Sequence, residues 1–309
     1  MDTERTVVLN EKESVMMHDL SEELIAVICD YVEINRHVQE INQLFDVFQF
    51  NIERLMMNYE IRSDDFVIRK TGFETESSDF IAINAFLINI ISSGRSLTDT
   101  LDVCMANAYG DASDKYCDFI TRKATVYDGK FAYRFFYHLR NFSQHNHLLV
   151  SAEKNFCFFD TAQILSTPHY KANKKMWEEL ERICEEIRER YKDNFRISLS
   201  RCLIEYIAGI AEVYKFFWEC IKDRLFELKG EIDEALKREP EILEHGNEKF
   251  NGYIIYQTPE KEGWHAVAPY NDMDSYYENC LRSAIAFFIE SDAELKTHQK
   301  HFRTLSSEK

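Results

Sequence analysis

The apolar residues between Ser21 and Glu60 recur at spacings of three and four, and this pattern constrains the fold more than any other feature. The recurring residues are Leu24, Ile25, Ile28, Val32, Ile34, Val38, Ile41, Leu44 and Phe45. Such spacing places apolar side chains on one face of an α-helix, because a helix completes a turn every ~3.6 residues. A long amphipathic helix is therefore predicted over residues 21–60, and its apolar face must be buried against other elements.

Further helices are predicted along the rest of the chain. Their expected ranges are 79–110, 113–125, 130–146, 173–194, 198–238 and 272–295, followed by a frayed tail over 297–309. Ser77 or Ser78 can cap the start of the second helix, and Gly110 is a suitable stop at its end. The chain has only 9 Gly and 4 Pro in 309 residues, which argues against the many tight turns of an all-β fold.

Three short segments have strand character. Residues 66–73, FVIRKTGF, are β-prone, and residues 148–160, LLVSAEKNFCFFD, alternate weakly, as in an extended segment or a small hairpin. The runs YIIYQT and WHAVAP, separated by PEKEG within residues 253–269, are typical of a β-hairpin. The predicted fold class is therefore mainly α, a helical bundle with additional C-terminal helices and one small β-hairpin.

The formal net charge of −17 restricts the possible partners. A field of this sign repels nucleic acids and anionic membranes, so contact with RNA requires a locally basic surface. The 8 cysteines include no C-x-x-C pair, which argues against a zinc ribbon or disulfide framework and favours reduced, buried thiols. The N-terminal residues lack the apolar core of a signal peptide, and no run reaches the ~18 apolar residues of a membrane helix. A soluble, cytoplasmic protein is therefore expected.

The predicted helix 130–146 ends in a group of polar residues that includes Arg140, Asn141 and His145. In a helix, Asn141 and His145 lie one turn apart on one face, and the long Arg140 side chain can curve toward the imidazole. Histidine can exchange a proton with a ribose hydroxyl or a leaving oxygen, and arginine can stabilise charge that develops on phosphorus. This group suits chemistry at a phosphodiester. The same residues also suit a helix C-terminus, whose dipole favours cations.

Two other segments have both a functional and a structural interpretation. Ser92, Arg95, Ser96 and Asp99 lie along one face of the second helix. Arg95 can contact a phosphate, or it can form an ion pair with Asp99 four residues later, inside the bundle. The aromatic residues 214–219, YKFFWE, can stack on bases but are better interpreted as core.

The segment RNFSQH, residues 140–145, resembles the R-x4-6-H signature of HEPN domains, including the polar residue that usually follows the arginine. The setting is also similar. The motif ends a late helix of a helical bundle, after the aromatic segment YRFFYHLRNFSQH and an apolar helix that carries SSGRSLTD. The resemblance covers roughly residues 15–165 at the level of pattern, and the six-residue motif is its specific part.

HEPN domains are α-helical and usually dimeric, and many are metal-independent endoribonucleases of toxin–antitoxin, anti-phage defence or CRISPR-associated systems. The resemblance implies a HEPN-like helical domain over residues 1–165 and a helical extension with the small hairpin over residues 166–309. It also implies an RNA substrate and a homodimer whose two motifs form one composite active site. An antitoxin or another protein is a further expected partner.

By this resemblance, Arg140 and His145 are the catalytic pair and Asn141 is the intervening polar residue. Arg95 and His147 are the expected substrate-binding residues. Cleavage would proceed by attack of the ribose 2′-hydroxyl, with neither a metal nor another cofactor. A HEPN subgroup that is silenced by adenylylation carries tyrosine two residues after the histidine. This chain has His147 there, which argues against that form of silencing.

Two other classes of function compete with the endoribonuclease. A non-catalytic helical interaction or regulatory module, such as a scaffold or an antitoxin-like partner, agrees better with the acidity of the chain than RNA binding does. A metal hydrolase would use His138, His145 and His147, but no carboxylate lies at ligand spacing from them. The endoribonuclease is the preferred hypothesis because the motif and its setting both support it.

Overall fold

A computed structural model describes residues 5–10, 15–19, 22–61, 67–70, 77–145, 148–153, 156–166, 174, 178, 180–182, 185, 196–236, 252–256, 265–267 and 273–307. For residues 141–145 the description covers the backbone. The helices are α1 Glu22–Asn58, α2 Ser77–Tyr109, α3 Asp114–Gly129, α4 Phe131–His145, α5 Thr161–Ser166, α6 Leu199–Leu236 and α7 Met273–Ser307. The predicted mainly α class is confirmed.

Helix α6 is central to the packing, because it contacts α1, α2, α3, α4 and α7. Its buried residues recur at helical spacing, with Leu203, Ile210 and Phe217 fully or almost fully enclosed. These residues share one continuous hydrophobic core with residues of α4 such as Phe135 and Leu139. The core therefore extends across the predicted domain boundary at residue 165. The division into a catalytic domain and an extension stays a prediction.

The end of α2 and the start of α3 are set by local sequence signals. Gly110 has a φ of 80°, a left-handed conformation that glycine adopts without strain, and its N–H donates to the Ala106 carbonyl at 2.7 Å. The Ser113 hydroxyl then accepts a hydrogen bond from the Tyr116 N–H at 3.2 Å, which caps the start of α3. The predicted stop at Gly110 is confirmed, and α3 runs to Gly129 rather than to residue 125.

The described strands form three small sheets. They are β1 Arg5–Asn10, β2 Val15–Asp19, β3 Tyr59–Ile61, β4 Val67–Arg69, β5 Ser151–Glu153, β6 Phe156–Asp160, β7 Arg196–Ser198, β8 Gly252–Tyr256 and β9 His265–Val267. The sheet orders are β2-β1-β8-β9, β3-β4 and β5-β6-β7, and all the pairings are antiparallel. The predicted hairpin of β8 and β9 is confirmed, as is the extended segment that forms β5 and β6.

The prediction of one small hairpin is wrong in number. Strand β1 pairs with β8 so that Val7 lies opposite Ile255, a contact between the first described strand and a strand far along the chain. A short apolar run such as RTVVLN becomes a strand only when it meets a partner, and local periodicity does not indicate a partner so distant in sequence.

Of the predicted helices, the last is longer than expected and the one over residues 173–194 is largely untested. The expected frayed tail over residues 297–309 is wrong for most of its length, because α7 continues to Ser307. The predicted helix over residues 173–194 lies mostly outside the described residues. Within it, Leu180 is completely buried in the core.

Helix α2 has the length and apolar composition of a membrane-spanning helix, which no segment of the chain was expected to have. Asp79–Tyr109 has a mean hydropathy of 1.4 over its most apolar window and is the one helix of the described chain long and apolar enough to cross a membrane. Core helices of soluble proteins have the same character, and α2 packs against α1, α3, α4 and α6. A single helix of this kind is weak support for membrane insertion, and the cytoplasmic location stays a prediction.

Two glycines allow α6 to approach its neighbours closely. A Cβ on Gly209 of α6 would lie 2.7 Å from the Tyr133 ring of α4, and a Cβ on Gly94 of α2 would lie 2.4 Å from the Tyr206 hydroxyl of α6. Both tyrosines are buried, so neither ring can move into solvent without exposing apolar surface. The position of α4 on α6 therefore depends on the absence of a side chain at residue 209.

We expect Gly209→Ala to lower the free energy of unfolding by about 1–3 kcal/mol, because the added methyl group overlaps a buried ring that has little room to shift. Gly230→Ala is the matched control in the same helix, since no atom lies within 4 Å of the position that its methyl group would occupy. The control should stabilise the protein by up to ~1 kcal/mol through helix propensity. Urea unfolding measures both variants. Equal stability of the two would contradict the close packing at Gly209.

Candidate functional site

Helix α4 presents a wide apolar face to the core. Its buried residues are Ala132, Tyr133, Arg134, Phe135, Phe136 and Leu139. The helix packs on α6, α2 and α3, and its first turn is fixed where the Ala132 N–H donates to Glu205 Oε2 of α6 at 3.0 Å. Aromatic contacts continue inward, since Phe136 lies 4.8 Å from Tyr206 between ring centroids. The polar end of α4 is thus held by a rigid aromatic core.

Arg134 is buried because it closes the end of the preceding helix. Its guanidinium donates to the carbonyl oxygens of Tyr127 and Asp128, in the last turn of α3. Carbonyls at a helix C-terminus lack intrahelical partners, and they carry the negative end of the helix dipole. Arg134 therefore joins α3 to α4, and this structural role accounts for a buried arginine on the apolar face of α4.

Arg140 is half-buried near the end of α4. Its charge acts on the hydroxyl of Tyr206, a residue of α6. Burial raises the pKa of Tyr206 well above its ordinary value, and the positive charges of Arg95 and Arg140 oppose that rise. Arg95 and Arg140, which the sequence assigns to different helices, therefore lie close enough to influence one buried group.

The backbone of Asn141 and His145 belongs to α4, and the helix ends at His145, within one residue of the predicted end. The whole RNFSQH motif is thus helical, with positions 141 and 145 one turn apart. The side chains of Asn141 and His145 and the whole of His147 lie outside the described residues. The pairing of Arg140 with His145 stays a prediction.

Arg95 makes two contacts that fix its guanidinium. Its Nε donates to Asp99 Oδ2 at 2.7 Å, so the ion pair expected from the structural interpretation is present. The guanidinium carbon also lies 3.7 Å from the centroid of the Tyr137 ring, a stacked cation–π contact that the sequence did not predict. This contact connects Arg95 of α2 to Tyr137 of α4, which lies one helical turn before Asn141.

A small cleft opens beside this contact. It has a volume of about 10 Å³, room for about one water molecule, and is lined by Arg95, Thr98, Tyr133, Tyr137, Tyr206 and Ile210. Enclosed sites for drug-sized ligands usually measure ~300–1,000 Å³, so this cleft does not enclose a nucleotide by itself. A nucleic acid would have to bind across the open surface around the cleft, or between two protomers.

His138 is held in a partly buried position between α3 and α4. Its Nε2 lies 3.0 Å from the Tyr127 hydroxyl, within hydrogen-bonding distance. Burial lowers the pKa of His138 below its ordinary value of 6.5, and the charges of Arg95 and Arg134 lower it further. His138 is therefore a neutral imidazole near pH 7, and its surroundings disfavour protonation.

Other candidate groups have structural explanations. In the aromatic segment 214–219, Tyr214, Phe217 and Trp218 are buried, which confirms their interpretation as core. Among the described cysteines, Cys104, Cys157 and Cys202 are buried, as predicted, whereas Cys117 is exposed. Within the described part of the chain, no group of three or more His, Cys, Asp or Glu residues could hold a metal ion.

Tyr137, Tyr127 and Tyr206 were not identified from the sequence as parts of this region. Tyr137 could have been found, because it lies one helical turn before Asn141 on α4. Tyr127 and Tyr206 belong to other helices, and their contacts with α4 depend on helix packing that periodicity does not specify.

Comparison of the chain with protein-family models, curated proteins and solved structures finds no match. The resemblance to HEPN domains therefore depends on the motif RNFSQH and its helical setting.

We expect the protein to lose stability as the pH falls below about 6.5. The unfolded His138 binds a proton near that pH, whereas the folded residue does so at a lower pH, so acid favours the unfolded state until the pH passes the folded pKa. His138→Gln keeps a polar partner for Tyr127 but does not titrate. The variant should lose less stability than the wild type between pH 7.5 and pH 5.5 in urea unfolding. Identical pH profiles would show that His138 is not responsible.

Proposed function

We propose that the protein is a metal-independent endoribonuclease of the HEPN type, which acts in a toxin–antitoxin or anti-phage defence setting. The observation that carries the proposal is that α4 includes the whole RNFSQH motif and ends at His145, with Arg140 half-buried on the same helix. A motif on a packed helix is held more rigidly than one on a loop, which favours catalysis by positioned groups.

The proposed reaction forms a bond between the ribose 2′-oxygen and phosphorus as the bond from phosphorus to the 5′-oxygen breaks. His145 takes the proton of the 2′-hydroxyl or returns a proton to the leaving 5′-oxygen. Arg140 stabilises the charge on the phosphorane, and Asn141 positions the imidazole or a phosphate oxygen. The products are a 2′,3′-cyclic phosphate and a free 5′-hydroxyl.

The local charge supports RNA binding at this end of the bundle despite the net charge of −17. Arg95 and Arg140 both act on the buried Tyr206 hydroxyl, and Arg134 adds a third positive charge at the α3–α4 junction. Asp99 offsets part of this charge through its ion pair with Arg95. A second protomer that contributed the same residues would double the local positive charge.

We expect the protein to cleave single-stranded RNA in the presence of EDTA. His145→Ala should lower the rate by about 100-fold or more, because general acid–base catalysis is lost. Arg140→Ala should lower it by about 100-fold, because charge stabilisation in the transition state is lost. The measurement is a gel or fluorescence cleavage assay with purified protein.

Arg282→Ala is the matched control for this assay, because it removes an exposed arginine that pairs with Glu278 on α7. Its rate should equal that of the wild type. Thermal unfolding of each variant separates loss of chemistry from loss of folding. Undiminished cleavage by folded His145→Ala would overturn the catalytic assignment.

We expect the active protein to be a homodimer, because the cleft of one protomer is too small to enclose a nucleotide and the proposed site is composite. Sedimentation velocity at micromolar concentration should show a species of twice the 36.6 kDa chain mass. A monomer that still cleaves RNA would refute the composite site.

A non-catalytic interaction module is the second candidate function. It is favoured by a row of exposed apolar residues on α1, Val47, Phe50 and Met57, each at least half exposed. Such a module would bind a protein partner and would show no cleavage of RNA in the assay above. Wild-type cleavage that depends on Arg140 and His145 excludes it as the sole function.

A further inference from the structure

We propose that Tyr137, backed by Arg95, is a stacking platform for one base of a single-stranded RNA bound at the end of α4. This inference deepens the proposed function and depends on it for the identity of the substrate. It assigns a binding role to a residue outside the RNFSQH motif and names the part of the substrate that the residue contacts.

The ring of Tyr137 is held but not enclosed. The Arg95 guanidinium covers one part of it at 3.7 Å, and the Tyr127 ring meets it at nearly a right angle with the centroids 5.7 Å apart. Tyr137 nevertheless keeps 36% of its surface exposed, in contrast to Tyr133 and Phe136 of the same helix, which are buried. A fixed ring with an open surface binds a planar ligand at a low cost in conformational entropy.

The ring also lies in the right place for a substrate of the proposed reaction. Tyr137 is three residues before Arg140 and four before Asn141, so along the helix axis it is about one turn from both. A base that stacks on Tyr137 would place its own or a neighbouring phosphate near Arg140. It would also lie at the mouth of the cleft between Arg95 and Tyr206.

The chemistry of the contact favours a base over an isolated phosphate. Arg95 already donates through Nε to Asp99, and its guanidinium carbon lies over the Tyr137 ring, so the pair presents a polarised aromatic surface rather than a bare cation. Proteins that bind single-stranded nucleic acids use such aromatic surfaces, because every base has a π-face. A duplex would keep its bases stacked on one another and could not use this surface.

The test is equilibrium binding of a fluorescein-labelled eight-nucleotide oligoadenylate whose riboses are all 2′-O-methylated, so that it cannot react. Fluorescence anisotropy measures the affinity. Tyr137→Leu should bind this probe on the order of ten-fold more weakly than the wild type, because the stacking surface is lost. Tyr137→Phe retains the ring and should bind within about two-fold of the wild type, which separates stacking from a role of the hydroxyl.

Phe50→Leu is the matched control, because Phe50 is 52% exposed and has the Arg54 guanidinium 4.9 Å from its ring centroid, on α1. This variant should bind the probe as the wild type does. Wild-type affinity in folded Tyr137→Leu, an equal loss in Phe50→Leu, or no binding by the wild type would each overturn the platform.

A separate cleavage assay distinguishes this inference from the proposed function. Cleavage by the wild type together with unchanged probe binding by Tyr137→Leu would refute the platform alone. Ring-dependent probe binding without any cleavage would support the platform as a nucleic-acid contact and refute the nuclease.

Discussion

The insertion of two buried tyrosines between helices determines where the polar end of α4 lies. Tyr133 occupies the space that a side chain at Gly209 would fill, and the Tyr206 hydroxyl does the same at Gly94. Each ring fits against a helix backbone that could not come so close with any larger residue. Because these contacts lie on α2, α4 and α6, they fix three helices relative to one another, and the positions of Arg95 and Arg140 follow from them.

The same packing accounts for the electrostatics of the region. A phenol is already neutral at physiological pH, and burial raises the pKa of both Tyr133 and Tyr206 further. The adjacent arginines are not neutralised by ionised phenols. Their charge is offset by carboxylates such as Asp99 and otherwise acts on the surface at the end of α4.

The sequence predicted the long helices well, because their signals are local. The periodicity of residues 21–60, the stop at Gly110 and the end of α4 at His145 all arise from neighbours within a turn or two. It failed where the contact is distant. The pairing of Val7 with Ile255 depends on tertiary structure, which a single sequence does not specify. The capping of α3 by Arg134 was also missed, although it is local, because helical periodicity does not show how two successive helices meet. For the candidate site, the sequence correctly indicated the Arg95–Asp99 pair but not the stacking of Arg95 on Tyr137, because that contact joins two helices.

The arrangement explains why one helix carries both core aromatics and ionisable groups. Its aromatic face, Tyr133 and Phe136, is fixed in the core, so the last turn is positioned without support from a loop. Electrostatic attraction alone would hold RNA weakly on this chain, since distant carboxylates repel the phosphates and salt screens the few arginines. Stacking is less sensitive to both effects because it depends on contact area rather than on net charge. If the proposed function holds, the chain gains most from an exposed ring next to its arginines, and Tyr137, with Arg95 over its ring, has that position on α4.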